Sequence, residues 1–508
     1  MSASPPTLAP RRLSQLLAGI VEVPQELDRD IAGLSLDSRC ARAGDLFFAC
    51  AGQRCHGTAY LGDALGADVA AVAWEPSPDL AELPPPLGEG DIRIPAFAVQ
   101  GLGDQIGVIA DRFYGHPSRD LQVVGITGTD GKTSCAQFLA QALDREDEPC
   151  GVIGTLGYGL YGQQQPATHT TPDAIRLHGL LAGMRRHGAR WAVMEVSSHA
   201  LAQGRTVGVA FDAAVLTNLT RDHLDYHGDE QAYAGAKRRL FEAPGLRTAV
   251  LNLNDGFGCA LLSELPLQTV GYGLGPLPVP LPPRYVAGRG LLACRDGLSM
   301  DIDSSWGEAH LQTRLLGAFN ARNVLAVLAV LVSSGMTLER ACDRLSRLSP
   351  VPGRMERFGG GRHTTVVVDY AHTPEALRHA LEALRAHCDG TLWAVFGCGG
   401  DRDPGKRPLM GAVAERLADR VILTDDNPRG EDGQRIIDDI RGGMHAPEKA
   451  RVERDRAAAI AAAVTGADPA DLVLVAGKGH EDYQLVGDQR LPFSDRAQVR
   501  GLLAEAGP

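Results

Sequence analysis

The stretch Val123-Val124-Gly125-Ile126-Thr127-Gly128-Thr129-Asp130-Gly131-Lys132-Thr133 decides how the middle of the chain folds. An apolar run, typical of a buried strand, ends in a glycine-rich turn that leads through Gly-Lys-Thr into a helical pattern. Glycines let backbone N–H groups approach phosphate oxygens, and the following helix N-terminus offers unpaired donors at the positive end of its dipole. The stretch therefore predicts a phosphate-binding loop, in which Lys132 reaches the outer phosphates and the Thr133 hydroxyl can ligate magnesium.

Length and composition indicate a folded protein of several domains. The chain has 508 residues, of which 44% are hydrophobic and 22% charged, and its net charge is −12. The length favours about three domains, and the negative charge argues against nucleic-acid binding as the main role. Ten cysteines without a Cys-x-x-Cys pair fit reduced thiols, and no apolar run is long enough to span a bilayer. We expect a cytoplasmic protein without membrane insertion.

Alternating strand and helix patterns predict an α/β fold in three domains. Residues 1–103 form a small α/β domain, residues 104–350 a central P-loop ATPase-like domain with a mostly parallel sheet, and residues 351–508 a Rossmann-like domain. The predicted strands of the two larger domains are residues 121–126, 191–196, 213–216, 248–251, 365–368, 392–396, 421–424 and 472–475. The proline-rich residues 276–283 are interpreted as a surface loop, with a partner-binding polyproline segment as the alternative.

Polar, glycine-rich segments follow all four predicted strands of the last domain. They begin at Asp369 and at residues 397, 425 and 476. Ligands bind at the carboxyl edge of open parallel sheets, so these segments predict a second functional region.

Residues that could hold a metal follow two strands of the central domain. Glu195 ends the predicted strand 191–196 and can hold magnesium beside a phosphate loop; the alternative is an acid in a solvated loop. Residues 217–227 are dense in metal-capable groups, although a lone histidine is more often structural. By physical reasoning alone, Lys237 is an ordinary surface lysine of a helix, and Asn320 could simply cap the helix that follows it.

The loop Gly-Thr-Asp-Gly-Lys-Thr at residues 128–133 resembles the Gly-Thr-Asn-Gly-Lys-Thr loop of the Mur ligase superfamily, whose members use ATP to join an amino acid to a carboxylate. The resemblance covers essentially the whole chain. It implies the addition of meso-2,6-diaminopimelate to the D-glutamate γ-carboxylate of UDP-N-acetylmuramoyl-L-alanyl-D-glutamate through an acyl phosphate, in peptidoglycan precursor synthesis. ATP and Mg²⁺ would be the cofactors, the partners would be small-molecule substrates, and the enzyme would be a monomer.

The resemblance also implies a modified lysine. In the segment Ala236-Lys237-Arg238-Arg239-Leu240-Phe241, the family lysine is carbamylated by CO₂, which converts a cation into an anion that can ligate a second magnesium. The amine must first be neutral, so the site must lower the lysine pKa.

By the same resemblance, five groups of residues have roles. The implied catalytic residues are Lys132, Lys237, His223 and Arg354, and the metal ligands are Thr133, Glu195, His223 and carbamylated Lys237. ATP would contact Gly128, Thr129, Asp130, Gly131, Lys132, Thr133, Ser134, Asn320, Asn323, Arg354, Asp369 and His372. The UDP-sugar-peptide would contact Leu36, Ser38, Gln53, Arg54, Cys55, His169, Thr170, Thr171, Ser197, Gln203 and Arg205. Diaminopimelate would contact Arg402, Asp426, Asn427, Pro428, Arg429, Gly477 and Glu481.

The choice of amino acid is predicted from Asp426-Asn427-Pro428-Arg429, which resembles the family signature for meso-diaminopimelate. Diaminopimelate differs from lysine by a second carboxylate, and an arginine can bind a carboxylate through two parallel hydrogen bonds. Glu481 would meet the distal ammonium.

The chain departs from the family pattern at three positions, and two other interpretations of its function remain open. Asp130 stands in place of the usual asparagine, His56 where the family often has Asp, and His169 where it often has Asn. Within enzymes, the alternative is a folylpolyglutamate synthase or another Mur ligase. Outside enzymes, it is a nucleotide-binding regulator with a decayed active site.

Overall fold

The computed structural model describes residues 9–52, 55–77, 80 and 94–505. The chain divides into two compact units, Met1–Val270 and Gly271–Pro508. Both units combine helices with largely parallel sheets, which confirms the predicted α/β fold. The domain boundaries at residues 103 and 350 remain a prediction.

The first unit begins with a small parallel sheet. Its strands β3 to β6 lie in sequence order, and every neighbouring pair is parallel. The strands of this part are β1 (Arg11–Arg12), β2 (Asp30–Ile31), β3 (Gly33–Ser35), β4 (Asp45–Ala49), β5 (Ala71–Trp74) and β6 (Ala96–Ala98); the helices are α1 (Leu13–Leu16), α2 (Leu61–Gly66) and α3 (Leu102–Phe113). All five residues of β4 are buried, as the apolar run of residues 46–49 after Asp45 predicts.

A larger sheet follows in the first unit, with the order β12-β11-β7-β10-β8-β9. Only β9 runs antiparallel to its neighbour. The strands are β7 (Gln122–Thr127), β8 (Cys150–Gly154), β9 (Gly157–Leu160), β10 (Trp191–Glu195), β11 (Ala213–Leu216) and β12 (Thr248–Asn252); the helices are α4 (Lys132–Leu143), α5 (Ala174–Arg186), α6 (Ser198–Ala202), α7 (Leu224–His227), α8 (Glu230–Phe241) and α9 (Gly256–Glu264). Because β7, β10 and β11 are parallel neighbours, the segments after them meet at one sheet edge.

The second unit opens with an antiparallel meander. In it, β14 pairs with β15 and β15 with β16, while β13 and β14 are parallel. The elements are β13 (Gln268–Leu274), β14 (Tyr285–Cys294), β15 (Gly297–Ser304), β16 (Gly307–Thr313), α10 (Ala318–Ser333) and α11 (Leu338–Ser346). Residues 276–283 form neither helix nor strand and connect β13 to β14, as the predicted loop requires; the alternative of a partner-binding polyproline segment is not tested by this.

The rest of the second unit is built on a sheet of order β17-β18-β22-β19-β20-β21, parallel except at β17. Its strands are β17 (Glu356–Gly359), β18 (Thr365–Asp369), β19 (Leu392–Phe396), β20 (Arg420–Leu423), β21 (Arg451–Val452) and β22 (Leu472–Ala476), with a hairpin of β23 (Tyr483–Val486) and β24 (Gln489–Pro492). The helices are α12 (Pro374–Arg385), α13 (Lys406–Leu417), α14 (Gly433–Arg441), α15 (Arg456–Gly466) and α16 (Asp495–Glu505). This order places the polar segments after β18, β22, β19 and β20 side by side.

The N-terminus of α15 offers a test of how local chemistry stabilises this unit. The exposed Asp455 carboxylate accepts hydrogen bonds from the backbone N–H groups of Ala457 and Ala458, at 2.8 and 3.1 Å. We expect Asp455→Ala to lower the free energy of unfolding by about 1–2 kcal/mol in a denaturant titration, since two helix donors lose their acceptor. Asp488→Ala, in the exposed turn after β23, is the control. Equal effects of the two variants would contradict this assignment.

Candidate active site

The phosphate loop joins the end of β7 to the start of α4. Gly128 has φ +149°, and a Cβ atom there would lie 1.8 Å from Oγ1 of Thr217, so only glycine fits. The polar segment after β11 holds the loop in place: Asn218 Oδ1 accepts from the N–H of Asp130 at 2.9 Å, and Thr217 Oγ1 donates to the Asp130 carbonyl at 2.6 Å. The loop is therefore a fixed backbone cradle at the carboxyl edge of the sheet.

Two lysine ammonium groups meet at this loop. Lys132 Nζ donates to the carbonyls of Gly128 and Thr129 at 2.9 and 2.8 Å, and Lys237 Nζ donates to the Gly128 carbonyl at 2.7 Å. Lys132 is the first residue of α4, as the loop pattern predicts. An anion at this point would be met by a basic side chain as well as by the dipole of α4.

Lys237 is a buried residue with an altered acidity. Its side chain is 1% exposed, so the interpretation as an ordinary surface lysine is wrong. Its Nζ lies 4.4 Å from the centroid of the Tyr233 ring. Burial, and next the charge of Lys132, lower the pKa of Lys237 to about 6. The amine is therefore largely neutral at neutral pH, which is the form that reacts with CO₂.

Oxygen ligands converge beside the loop. Thr133 Oγ1 donates to Glu195 Oε2 at 2.8 Å, and Thr155, after β8, donates its N–H to Glu195 Oε1 at 2.8 Å. Glu195 is 1% exposed, so the alternative of a solvated loop acid is wrong. A hydroxyl and a carboxylate next to a phosphate loop suit Mg²⁺, which prefers oxygen ligands and takes the rest from water and phosphate.

His223 belongs to a neighbouring group of rings. Its ring centroid lies 4.8 Å from that of His199 and 6.2 Å from that of Tyr233, and its Nε2 lies 3.4 Å from Asp222. Its φ of +52° is unusual for a residue other than glycine. Among the described residues, no group of three or more His, Cys, Asp or Glu side chains is arranged to hold a metal ion. His223 as a magnesium ligand thus stays a prediction.

Five of the eleven residues predicted to hold the sugar-peptide form one connected patch around Thr171. Thr171 Oγ1 donates to the Glu195 carbonyl at 2.9 Å and accepts from the N–H of Ser197 at 3.1 Å. Arg205 donates to the Thr171 carbonyl at 2.7 Å and to the Gln203 side chain at 2.6 and 2.9 Å. The hydroxyls of Thr170 and Thr155 form a hydrogen bond of 3.1 Å. The patch therefore adjoins the Glu195 site.

Of the remaining sugar-peptide candidates, the described ones lie in other segments of the first unit. His169 is exposed and hydrogen-bonds through its backbone to the Tyr158 hydroxyl. Leu36 and Ser38 follow β3, and the exposed Cys55 follows the adjacent parallel strand β4, so both segments lie at the same sheet edge. Gln53 and Arg54 lie outside the described residues.

His56 has a structural role in this region. Its ring nitrogens lie 2.9 Å from the Thr58 hydroxyl and 2.8 Å from the Glu75 carbonyl. Local hydrogen bonds therefore accommodate a histidine at this position, where the family often has aspartate.

In the second unit, predicted ATP contacts surround Tyr370. The guanidinium of Arg354 lies 4.6 Å from the centroid of the Tyr370 ring, and the His372 ring lies 4.6 Å from it. Asp369 accepts from the N–H groups of Met355 and Ala371, and burial raises the pKa of its carboxyl. Arg354, Asp369 and His372, which the sequence presents on two segments, are thus neighbours in the fold.

Asn320 and Asn323 are buried within α10. The helix begins after Gly317, and Asn320 Nδ2 donates to the Leu316 carbonyl at 2.9 Å, so the alternative that Asn320 caps the helix is wrong. Asn323 Nδ2 donates to Asn320 Oδ1 at 3.1 Å. The two amides therefore support each other's orientation.

The predicted diaminopimelate contacts lie on adjacent loops after β20, β19 and β22. Arg429 has φ +51°, and its Nη1 donates to the Gly400 carbonyl at 2.8 Å. Across the described part of the chain, its other guanidinium nitrogens make no hydrogen bond. A Cβ atom on Gly399 would lie 2.8 Å from Arg429 Nη1 and 3.6 Å from Arg402 Cγ, so both arginines flank this glycine. Arg429 therefore offers open donors to a carboxylate.

The loops after β20 and β22 are tied together by side chains. Asn427 Nδ2 donates to Glu481 Oε2 at 3.1 Å, and the buried Lys478 donates to Asn427 Oδ1 at 2.9 Å. Gly477 has φ +118°, and a Cβ atom there would lie 2.3 Å from Oδ2 of Asp426. Burial raises the pKa of the Asp426 carboxyl. Pro428, buried between Asn427 and Arg429, completes the loop.

Sequence reasoning missed four residues that the structure places in these sites: Thr155, Asn218, Tyr370 and Lys478. Asn218, Tyr370 and Lys478 lie in strand-end segments that the sequence marks as functional but were given no role there, and Thr155 follows β8, a strand that was not predicted. The burial of Lys478, at 0% exposure, has no such signal in the sequence.

A cavity of about 890 Å³ in the second unit contains none of the predicted site residues. It is lined by the ends of β14, β16 and α11, with Arg314, Arg347 and Arg357 among its residues. Separately, none of the helices in the described ranges has the length and apolarity needed to cross a membrane.

Fold and site together define a nucleotide-dependent α/β enzyme, with a phosphate loop in one unit and strand-end ligand loops in the other. Family models agree: residues 126–331 match the Mur ligase middle domain and residues 353–479 the Mur ligase glutamate ligase domain. The chain belongs to the Mur ligase family.

Relatives match nearly the whole chain. A protein of Alkalilimnicola ehrlichii is 54% identical over 497 residues, covering 97% of this chain and 99% of that protein, and one of Pseudomonas aeruginosa is 47% identical, covering 97% and 98%. Both are named UDP-N-acetylmuramoyl-L-alanyl-D-glutamate–2,6-diaminopimelate ligase. A solved structure of a ligase with that name is 33% identical, with a TM-score of 0.74, and covers 99% of this chain and 100% of that one.

Proposed function

We propose that the protein joins meso-2,6-diaminopimelate to the D-glutamate γ-carboxylate of UDP-N-acetylmuramoyl-L-alanyl-D-glutamate, with cleavage of ATP to ADP and phosphate. The observation that carries this proposal is the pair of linked loops after β20 and β22. One offers open donors on Arg429 and the other the carboxylate of Glu481, joined through Asn427. A cation and an anion at one site suit the distal carboxylate and ammonium of diaminopimelate.

The reaction has two steps. A γ-carboxylate oxygen attacks the terminal phosphorus of ATP, the bond to ADP breaks, and an acyl phosphate forms. The diaminopimelate amine then attacks the acyl carbon, phosphate leaves with its electron pair, and the nitrogen loses a proton. Lys132 neutralises charge on the transferred phosphate, and the N–H groups of the phosphate loop orient it. Arg354 and Asp369 are assigned to the nucleotide.

Bound Mg²⁺ would supply charge stabilisation on the phosphates, held by Thr133 and Glu195, with His223 and carbamylated Lys237 as ligands of a second ion. The short contact between Thr133 and Glu195 supports the first assignment. The neutral amine of Lys237 supports the second, because a carbamate forms only from a deprotonated lysine.

Carbamylation of Lys237 is expected to depend on pH. Because the pKa of Lys237 lies at about 6, its amine is neutral above that pH and protonated below it. With carbon-13 bicarbonate, we expect a carbamate resonance near neutral pH that disappears as the pH falls through about 6. Lys237→Arg, which cannot form the carbamate, should lack the resonance. A wild-type spectrum without it, or a resonance that persists in Lys237→Arg, would contradict the assignment.

The test of the proposed function is ADP release with purified protein. Turnover should require ATP, Mg²⁺, UDP-N-acetylmuramoyl-L-alanyl-D-glutamate and diaminopimelate together, and omission of any one should reduce ADP release to background. ADP release that is independent of the amino acid would instead indicate an ATPase. If no amino acid supports ADP release, the protein would instead be a nucleotide-binding regulator with a decayed active site.

We also propose that the protein works in the cytoplasm, a reducing compartment, and that it is a monomer. All ten cysteines lie in the described residues and are free thiols, which supports the first point. Size-exclusion chromatography with light scattering tests the second.

A further inference from the structure

Lys478 is a fully buried cation in the loop after β22, and no step of the proposed reaction uses it. Its side chain has 0% exposure. Nζ lies 2.9 Å from Asn427 Oδ1, 3.3 Å from Glu481 Oε2 and 3.7 Å from Asp426 Oδ1. Burying an ammonium is costly unless it is paired and hydrogen-bonded, so these three acceptors account for its presence.

The hydrogen bonds of Lys478 fix the orientation of the Asn427 amide. Asn427 Oδ1 receives Lys478 Nζ and, at 2.9 Å, the N–H of Leu485. With its oxygen held by two donors, the amide must direct Nδ2 to Glu481 Oε2, where the distance is 3.1 Å. A flipped amide would set its NH₂ group against an ammonium and an N–H.

One oxygen of Glu481 is thereby occupied and the other is left open. Oε2 accepts from both Asn427 and Lys478, whereas Oε1 accepts no hydrogen bond from any described residue. The Glu481 side chain is 18% exposed, so it is within reach of a ligand.

The charges of this cluster leave room for one more cation. Arg456 and Asp495 form a pair at 2.7 Å, both with fully buried side chains. Lys478 then faces two carboxylates, Asp426 and Glu481. In their ionised forms the five groups carry one negative charge in excess, which the distal ammonium of an amino acid would balance.

We infer that Lys478 is a positioning residue for the amino-acid substrate: with Asn427, it holds Glu481 Oε2 so that Oε1 faces the distal ammonium. This inference rests on the proposed function. Lys478 acts through Glu481 and touches no reacting atom, so its loss should affect binding of the amino acid and leave the chemical step and the nucleotide unaffected.

The test is a double-mutant cycle on diaminopimelate-dependent ADP release. Lys478→Met should raise KM for diaminopimelate about 10- to 100-fold, by analogy with the loss of a partner that supports a metal ligand, with kcat and KM for ATP within about twofold. Glu481→Gln should raise the same KM. In the Glu481→Gln background, adding Lys478→Met should change it little, since the group through which Lys478 acts is already lost.

Arg385→Met, which removes a cation paired with Asp419 near the start of β19, is the control and should leave KM for diaminopimelate unchanged. If Lys478→Met does not fold, Glu481→Gln can still be compared with the double variant. The double variant removes both charges of the buried pair, so neither is left unpaired. Independent, multiplicative effects, or an unchanged KM in Lys478→Met, would overturn the role of Lys478 alone. Absence of diaminopimelate-dependent turnover in the wild type would overturn the proposed function and this inference with it.

Discussion

Replacing Lys132 by alanine is expected to lower kcat for ligation about 100- to 1,000-fold without unfolding the protein. Lys132 lies at the start of α4, its ammonium is held 2.8–2.9 Å from two loop carbonyls, and we propose that it neutralises the charge on the transferred phosphate. Loss of one such contact typically costs about 3–4 kcal/mol of transition-state stabilisation. ADP release at saturating substrates, with circular dichroism as a check of folding, measures the effect.

Lys449→Ala is the matched control for this prediction. Lys449 is exposed in a short 3₁₀ helix, Pro447–Lys449, and has no predicted role in the site. Its variant should retain wild-type turnover. Near-normal turnover in Lys132→Ala would reject the role given to the phosphate-loop lysine.

Arg429→Ala is expected to reduce kcat/KM for diaminopimelate far more than for L-lysine. The two amino acids share a chain and differ at one carboxylate, and Arg429 has guanidinium donors open to such a group. A half-buried arginine left without that partner costs roughly 2–5 kcal/mol, which corresponds to discrimination of about thirtyfold to several thousandfold in the wild type. The variant should lose this discrimination without becoming an efficient lysine enzyme, because its pocket is not reshaped.

Arg435→Ala, an exposed arginine of α14, is the control for this comparison. The measurement is kcat/KM for both amino acids on the wild type and the two variants. If Arg429→Ala lowers both activities by the same factor, Arg429 does not read the second carboxylate.

Much of the parallel core could be predicted because its strands are continuous apolar runs. The predicted bounds of β11 and β19 agree with the structure, and those of β7, β10, β12, β18, β20 and β22 differ by one residue at one or both ends. The meander β14–β16 was not predicted. In β15 the buried residues Leu298, Met300 and Ile302 alternate with more exposed ones, a pattern that a search for continuous apolar runs overlooks.

The candidate site was predicted unevenly, and Lys237 explains why. Its burial is encoded in the helix, since Tyr233, Ala236, Lys237, Leu240 and Phe241 recur at the spacing of one buried face. A lysine on that face indicates a special environment, yet residue type alone suggests a surface position. Lys478 differs, because its burial depends on partners brought together from separate strands.

The addition of diaminopimelate to the UDP-linked dipeptide is the reaction on which all the residue roles above depend. The most direct measurement is a competition: protein, ATP, Mg²⁺ and UDP-N-acetylmuramoyl-L-alanyl-D-glutamate with equal concentrations of meso-diaminopimelate and L-lysine, followed by mass spectrometry of the UDP-linked product. We predict a product whose mass has increased by one diaminopimelate residue. A product that carries lysine, or a UDP-linked dipeptide that remains unextended while ATP is consumed, would contradict the proposed reaction.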